Sequence, residues 1–337
     1  MTPVHLTFLQ QCVLMILATT TLGSSIKPTR QDLENYLFKE MDYDKNFPPN
    51  KDNVTDVSVQ LYITDFNSES EKEREIEFTL SLRMNWTDHR LDFTRNETKF
   101  DVLTFGDDIV DSIWIPDLYF LQERKSILHG LFKNNQLVYI FKNGSVFYSG
   151  RFNIKSHCVM TFEKYPFDTQ KCPIEIQSYA LTTNLMRLHW NGDRAVEIEP
   201  SLDPLKAETS PQEKSIETRY VYPEVGEFST LKTEIIVPRP SGSYGTVVIA
   251  PPVILVLIAL MSFFEDYNSR IGNVTQTLTP LLLHWTALYS KISIDSTMYY
   301  LNFWMLGNLM TISIVLVTNI FIYMCMRYKK LEVRYML

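Results

Sequence analysis

The chain has 337 residues, a formal net charge of −7 and only four cysteines. This charge balance argues against a nucleic-acid partner, because nucleic acids are bound by clustered lysine and arginine, and the polar part of the chain has no basic stripe. The length permits more than one domain. A shift in composition marks the boundary, since the chain is polar up to about Arg239 and mainly apolar from Tyr244 to Met326.

The N-terminal segment Leu6–Leu22 is a short apolar run that ends in small residues. It is short for a membrane span, so we expect a signal peptide over residues 1–24. An extracellular domain then follows over residues 25–240. Triplets of the form N-x-[S/T] in this part fit that location and are candidate glycosylation sites. They begin at Asn53, Asn85, Asn96 and Asn143.

The polar part of the chain contains short runs in which apolar and polar residues alternate. Residues 57–64 and 76–84 show this pattern, and residues 231–237 form the last such run. Residues 137–149 contain two such runs joined by Asn143-Gly144, which predicts a β-hairpin. Many short strands at this spacing predict an Ig-like β-sandwich of about ten strands.

Cys158 and Cys172 are the only cysteines in the polar part of the chain. Their spacing suits a disulfide-closed loop between neighbouring strands, and one disulfide in an oxidising compartment needs one such pair. The alternative is two unpaired buried thiols. Between them lie Phe162, Tyr165-Pro166 and Asp168, an aromatic, proline and acidic tip.

The apolar part contains three candidate membrane helices, at about 244–264, 271–291 and 297–326, in a transmembrane domain over residues 241–326. Basic residues follow the third helix, so the positive-inside rule places that end in the cytoplasm and the N-terminal domain outside. We therefore expect an all-α helical bundle that crosses the plasma membrane several times. Residues 327–337 would be a short cytoplasmic stub, without a fourth helix.

The second helix is the least lipid-like of the three. Its polar side chains cost free energy in hydrocarbon unless they face protein or water. One set recurs at three- and four-residue steps and shares a helical face: Thr275, Thr279, Leu282, Thr286 and Ser290. That face is a candidate pore lining for an inorganic ion, with Leu282 as a hydrophobic constriction. The alternative is a helix buried in a protein bundle. Pro280 should weaken or kink the helix.

Three motifs together carry a family resemblance. The first is Trp86-x-Asp88-x-Arg90-Leu91, and the second is Trp114-x-Pro116-Asp117. The third is the cysteine pair with thirteen residues between its members and F-x-x-[FY]-P-x-D inside. On these motifs the chain resembles the Cys-loop receptors, the pentameric neurotransmitter-gated ion channels. The resemblance covers roughly residues 56–326, and the extracellular part is most similar to receptors of the GABA-A and glycine type.

The resemblance implies a ligand site between two subunits, under a flexible hairpin with its tip at residues 223–227. The principal face would be an aromatic box, formed by Tyr119, Tyr179, Tyr222 and Phe228. The complementary face of the neighbour would consist of Ser81, Arg83, Ser149 and Arg151. Each aromatic ring attracts a ligand ammonium by about 0.5–2 kcal/mol, and an arginine can hold a carboxylate bidentately. For each residue alone, a core or surface role is the alternative.

The agonist is expected to be a small amine or an amino-acid-like molecule of unknown identity. Gln177 stands where GABA-type sites have Glu, and Leu181 replaces a residue that is commonly aromatic. For gating, the resemblance implies that a loop tip presses on the turn after the pore helix, residues 291–297. The residues expected to couple binding to gating are Tyr165, Pro166, Phe167, Asp168 and Arg239.

The leading interpretation is therefore a channel subunit that assembles with copies of itself or with related subunits in the lipid membrane. The alternative is a non-conducting binding or regulatory subunit, which Pro280 favours. An enzyme is not expected, because H-E-x-x-H, G-x-S-x-G and a Gly-rich phosphate loop are all absent from the sequence. We expect no cofactor and no metal site, since the six histidines are scattered without ligand spacing.

Overall fold

The structure is a computed structural model of the chain. It describes residues 28–336 except 42, 51–52, 68–71, 97, 193–194, 203–205, 210–218, 223–225, 240, 267 and 291–297. Three predicted features fall outside these residues. They are the signal peptide at 1–24, most of the hairpin tip at 223–227 and the turn at 291–297.

The described chain begins with a short helix, α1 (Arg30–Asn35), held by a capping box at Thr29. Fourteen strands follow within the described residues. They are β1 (Thr55–Asn67), β2 (Glu75–Asp92), β3 (Val102–Phe105), β4 (Leu118–Phe120), β5 (Glu123–Leu128), β6 (Gln136–Phe141), β7 (Asn143–His157), β8 (Thr169–Ser178), β9 (Met186–Trp190), β10 (Val196–Ile198), β11 (Lys206–Thr209), β12 (Arg219–Tyr222), β13 (Gly226–Phe228) and β14 (Thr230–Pro238).

These strands form two main sheets and one small hairpin. The larger sheet has the order β10-β1-β2-β7-β6-β3, with β5 added on β7 and β9 on β1. The smaller sheet has the order β11-β14-β8-β4, and β12 pairs with β13. Apolar residues alternate with polar ones along β2, so that Ile76, Phe78 and Leu80 are buried in the core. The predicted β-sandwich is confirmed.

The predicted number of about ten strands was too low. The additional strands include β3, β4 and β10, which are only three or four residues long. A segment of that length is too short to display the alternation by which a strand is recognised in a sequence. The three strands predicted from longer patterns, β1, β2 and β14, are present, and the predicted hairpin is formed by β6 and β7.

The two tryptophan motifs pack against each other around a buried carboxylate. Asp88 is fully buried and receives two hydrogen bonds from the Arg90 guanidinium, of 2.9 and 2.8 Å. The Tyr43 hydroxyl donates to Asp88 at 2.7 Å and accepts from the Trp114 backbone N–H at 3.0 Å. Burial and the Asp88 carboxylate raise the pKa of Tyr43. The Trp86 and Trp114 rings meet edge to face, with centroids 5.9 Å apart.

We predict that Tyr43→Phe destabilises the domain by about 1–3 kcal/mol, because the change leaves Asp88 and the Trp114 N–H each without one partner. Denaturant unfolding of the purified chain in detergent measures this loss. Tyr179→Phe is the control, since the Tyr179 side chain lies mainly in solvent. Equal midpoints for wild type and Tyr43→Phe would contradict the prediction.

The apolar part of the chain folds into three long helices, α2 (Ser241–Met261), α3 (Arg270–Ser290) and α4 (Tyr299–Met336). Of the described residues, Gly245–Phe264 and Tyr300–Lys329 are long and apolar enough to cross a membrane. The predicted cytoplasmic stub at residues 327–337 stays a prediction, and α4, predicted to end at about residue 326, continues as far as Met336. Charged residues do not stop a helix, and Lys and Arg are good helix formers.

The two prolines of α2 free backbone carbonyls inside the helix. Pro252 has no N–H and so leaves the carbonyl of Val248, four residues earlier, without its helical donor. The His284 Nε2 of α3 lies 3.4 Å from this Val248 oxygen. Two further polar pairs hold α4: Asn302 pairs with Tyr289 of α3, and Asn319 pairs with Ser262, which directly follows α2.

Candidate functional site

Two aromatic residues of the predicted box lie together at the edge of the smaller sheet. The Tyr119 and Tyr179 rings meet edge to face, with centroids 5.6 Å apart. Tyr119 lies on β4 directly opposite Gln177 of β8, and its hydroxyl donates to the Gln177 side-chain oxygen at 3.3 Å. The Tyr179 side chain is 77% exposed. A ligand can therefore reach this ring from solvent.

The other two residues of the box lie on the small hairpin of β12 and β13. Tyr222 pairs in the backbone register with Gly226. Phe228 is only 5% exposed. In this conformation Phe228 therefore packs inside the domain and offers a ligand little surface.

The loop that carries Tyr179 is held by Asp117, the last residue of the second tryptophan motif. The Asp117 carboxylate accepts the Ser178 hydroxyl and the Ala180 backbone N–H, each at 2.7 Å. The Asp117 carbonyl accepts the Tyr179 N–H at 3.1 Å. In the sequence, Asp117 stands out only as a motif residue. Its position after Trp114-Ile-Pro116 gave no sign that it organises a loop about sixty residues away.

We predict that Asp117→Asn loosens this loop, because an amide can accept only one of the two hydrogen bonds that the carboxylate accepts. Hydrogen bonds to charged groups contribute about 1.5–3 kcal/mol. The Ala180 amide should then exchange with deuterium roughly 10–100-fold faster, through easier local opening. Asp111→Asn is the control, since Asp111 is exposed. Unchanged exchange at Ala180 would show that Asp117 does not hold the loop.

The four residues predicted for the complementary face are brought together on the larger sheet. In the register of β2 and β7, Ser81 lies opposite Arg151 and Arg83 lies opposite Ser149. Their inward-facing neighbours Leu82 and Met84 are buried, so the four side chains share the outer face. The prediction drew them from separate segments of the sequence, and the strand pairing makes them one patch.

Strand β1 extends this patch with residues that sequence reasoning missed. The Arg83 guanidinium lies 5.1 Å from the centre of the Tyr62 ring and donates to the Gln60 side-chain oxygen at 3.4 Å. The Tyr62 hydroxyl donates to the Glu199 carboxylate, and this hydrogen bond raises the pKa of Tyr62. The alternation of β1 would have placed Tyr62 and Gln60 on one face, but only the pairing with β2 puts them beside Arg83.

The predicted disulfide between Cys158 and Cys172 is confirmed, and both residues are fully buried. It closes what we call the disulfide loop, residues 158–172, between the end of β7 and β8. The alternative of two unpaired thiols is therefore wrong.

The tip of the disulfide loop is joined to the start of the helical part by a buried ion pair. The Asp168 carboxylate accepts two hydrogen bonds from the Arg239 guanidinium, of 2.7 and 3.1 Å, and the two side chains are only 4–5% exposed. Arg239 also lies 4.8 Å from the centre of the Tyr165 ring. Gln170 donates to the same carboxylate. Three of the predicted coupling residues thus form one buried cluster.

The loop tip also touches two of the long helices. The Phe167 side chain lies beside Gly245 of α2, where an added Cβ would stand 3.7 Å from the Phe167 ring. The Glu163 carbonyl accepts the Tyr300 N–H of α4 at 3.2 Å. A cavity of about 300 Å³ lies between the loop and these helices, with Pro166 and Trp304 in its lining.

The residues predicted to line a pore form the outward face of α3. The opposite face packs inside the chain through Val274, Thr277, Leu281 and Leu288. Hydroxyls on the outward face donate to carbonyls of their own helix at 2.8–3.0 Å, as seen for Thr275, Thr286 and Ser290. The exposed residues of this face are Thr275, Thr279, Leu282, Thr286 and Ser290.

The candidate glycosylation sites occupy different surroundings. Asn53 and Asn143 are exposed, and Asn96 is half-buried in a turn. Asn85 is half-buried on β2, opposite Phe147 of β7. Within the described part of the chain, no group of three His, Cys, Asp or Glu side chains could hold a metal ion.

Comparison with known proteins assigns the chain to a family. The chain is 27% identical over 234 residues to the gamma-aminobutyric acid receptor subunit beta-4 of Gallus gallus, a match that covers 68% of this chain and 46% of that protein. The chain thus spans about half the length of the curated relative it matches. Residues 30–238 match the family model described as the neurotransmitter-gated ion-channel ligand binding domain. The match covers well over half of the chain, which therefore belongs to this family.

Proposed function

We propose that the chain is a subunit of a pentameric neurotransmitter-gated ion channel in the plasma membrane, with residues 25–240 outside the cell. An agonist binds between two subunits and opens a central pore lined by α3. The observation that carries the proposal is the buried pair of Asp168 and Arg239. It connects the ligand-binding domain directly to the residue that precedes the first apolar helix, so a movement of the sandwich can reach the membrane part.

The chemistry of the two faces supports a ligand with an amine at one end and a carboxylate at the other. Tyr119 and Tyr179 present aromatic rings, and a ring face attracts a cation. Arg83 presents a guanidinium on the outer face of the larger sheet, beside Ser149 and Arg151. A guanidinium can bind a carboxylate with two parallel hydrogen bonds. The two faces would meet when the principal face of one subunit contacts the complementary face of the next.

The outward face of α3 supports the pore. Its threonine and serine side chains are exposed in the single chain, and five copies around an axis would place them against one another. Leu282 is 46% exposed on this face and would form an apolar ring that closes the pore to water. At the start of α3, Arg270 donates to the Glu265 backbone carbonyl, and the Glu265 carboxylate accepts a hydrogen bond from Asn273. The reversal potential of the current measures which sign of ion passes.

The test is current recording from cells that express the chain, alone and with related subunits, over a panel of amines, amino acids and protons. We predict that Arg83→Gln raises the half-maximal agonist concentration at least about tenfold, the equivalent of ~1.4 kcal/mol. Arg187→Gln is the control, because Arg187 is an exposed arginine on β9. Agonist binding without current in every combination would instead support a non-conducting binding subunit, which Pro280 inside α3 favours.

A further inference from the structure

The turn between β6 and β7 has a fixed geometry. Gly144 has a φ of 78°, which strains any other residue type, and an added Cβ would lie 2.6 Å from the Asp88 carbonyl oxygen. The side-chain oxygen of Asn143 accepts the Ser145 N–H at 3.1 Å. This hydrogen bond uses the oxygen of the Asn143 amide and not the nitrogen, which is the atom that carries an N-linked sugar. Asn143 itself is exposed.

A shallow groove of about 510 Å³ lies directly beside this asparagine. Its lining combines one aromatic ring, that of Phe141, with polar groups. The Phe141 side chain is 38% exposed, which is unusual for a phenylalanine in a sheet. The polar residues of the lining are Thr94, Asp101, Lys142, Asn143 and Ser145.

This combination matches the chemistry of a sugar. A pyranose ring has one face of C–H groups, which packs on an aromatic face because the ring face is electron-rich. The hydroxyl and acetamido groups of an N-acetylhexosamine need hydrogen-bonding partners at the edges of the ring, and Asp101 and Lys142 are among the residues that line the groove. The groove therefore offers one aromatic residue together with polar residues, and Asn143 itself is part of its lining.

Only one of the four candidate asparagines has an aromatic residue two positions before it. Phe141 precedes Asn143, whereas Lys51, Arg83 and Thr94 stand at the corresponding positions before the other three. Phe141 ends β6 and Asn143 begins β7, so the two residues flank the turn of one hairpin. The arrangement is thus specific to Asn143 and gives a natural comparison with Asn53.

We propose that Asn143 carries an N-linked oligosaccharide whose first N-acetylhexosamine lies in this groove against the Phe141 ring. The sugar then fixes the β6–β7 hairpin, whose second strand carries Ser149 and Arg151. The inference rests on the extracellular location in the proposed function. It does not require that the chain conducts ions.

The experiment uses the full chain, produced in cells that attach N-linked sugars and purified in detergent. Mass spectrometry of the peptide that contains Asn143 measures occupancy. One sample is treated with an endoglycosidase, which trims each sugar chain to a single N-acetylglucosamine. A second sample is treated with an amidase, which removes the whole sugar chain. We expect the thermal midpoint to be unchanged by trimming and to fall by about 2–4 °C on complete removal or in Asn143→Gln, as for a modest local contact.

A double-mutant comparison separates the ring–sugar contact from other effects. Phe141→Ala should lower the midpoint in the glycosylated chain and change it far less in the Asn143→Gln background, with Phe141→Leu as a milder variant that keeps the fold. Asn53→Gln is the matched control and should leave the effect of Phe141→Ala unchanged. An unoccupied Asn143, or additive effects of the two substitutions, overturns the inference. If Asn143 is occupied and its sugar raises the thermal midpoint, but the chain gives no current, the result counts against the channel function and not against this inference.

Discussion

Replacing Arg239 by alanine is expected to destabilise the chain by about 3–5 kcal/mol, because Asp168 would stay buried without its cation. Both side chains are only 4–5% exposed, so water cannot take the place of the guanidinium. Denaturant unfolding of the purified chain measures the loss. Lys232→Ala is the matched control. Lys232 pairs with Glu175 at 3.5 Å, but its side chain is 39% exposed, and exposed pairs contribute less than about 1 kcal/mol.

A second variant separates stability from coupling. Arg239→Lys keeps the positive charge but cannot donate two parallel hydrogen bonds to Asp168, so it should fold more stably than the alanine variant. We expect it to reach the cell surface and to need more agonist for half-maximal current than wild type. If both Arg239 variants gave wild-type stability and wild-type agonist response, the ion pair would have neither the structural nor the coupling role proposed for it.

Removing the disulfide is the second change with a large expected effect. The bond closes a loop with a sequence separation of 14 residues. A closed loop of this length restricts the unfolded chain by about 3 kcal/mol. The double variant Cys158→Ala, Cys172→Ala should therefore lose about that much stability, in addition to the contacts of two buried sulfurs, and should show reduced surface expression.

The control is Cys325→Ser, since Cys325 is a free and exposed cysteine on α4. It should unfold and reach the surface like wild type. Labelling of surface protein with an impermeant reagent gives the expression level, and denaturant unfolding under non-reducing conditions gives the stability. Wild-type behaviour of the double alanine variant would mean that the fold does not depend on the closed loop.

The long strands, the hairpin and the disulfide could be predicted because their signals are local. Alternation over several residues indicates a strand, and Asn143-Gly144 between two such runs indicates a turn. The three long helices followed from the apolar composition. Apolar composition does not fix where a helix ends, and the helical propensity of Lys and Arg carries α4 on to Met336.

The arrangement of the site depended on contacts that local patterns do not contain. The register of β1, β2 and β7 puts Tyr62 and Gln60 beside Arg83, and a strand's register is set by distant partners. The burial of Phe228 likewise follows from the packing of the small hairpin. Arg239 and Asp168 were both predicted to take part in coupling, but their direct pairing, across 71 residues of sequence, could not be read from local patterns.

The position of Asn85 on β2 has a consequence for assembly. Asn85 follows Arg83 by two residues, so the two side chains leave the same side of the strand about 7 Å apart. In the proposed assembly, a branched sugar on Asn85 would fill the space that an adjoining protomer enters to reach Arg83. A given copy could therefore either bear that sugar or receive a neighbour on this side. Sugar attachment at a single position would then decide how many agonist pockets a ring of five can contain.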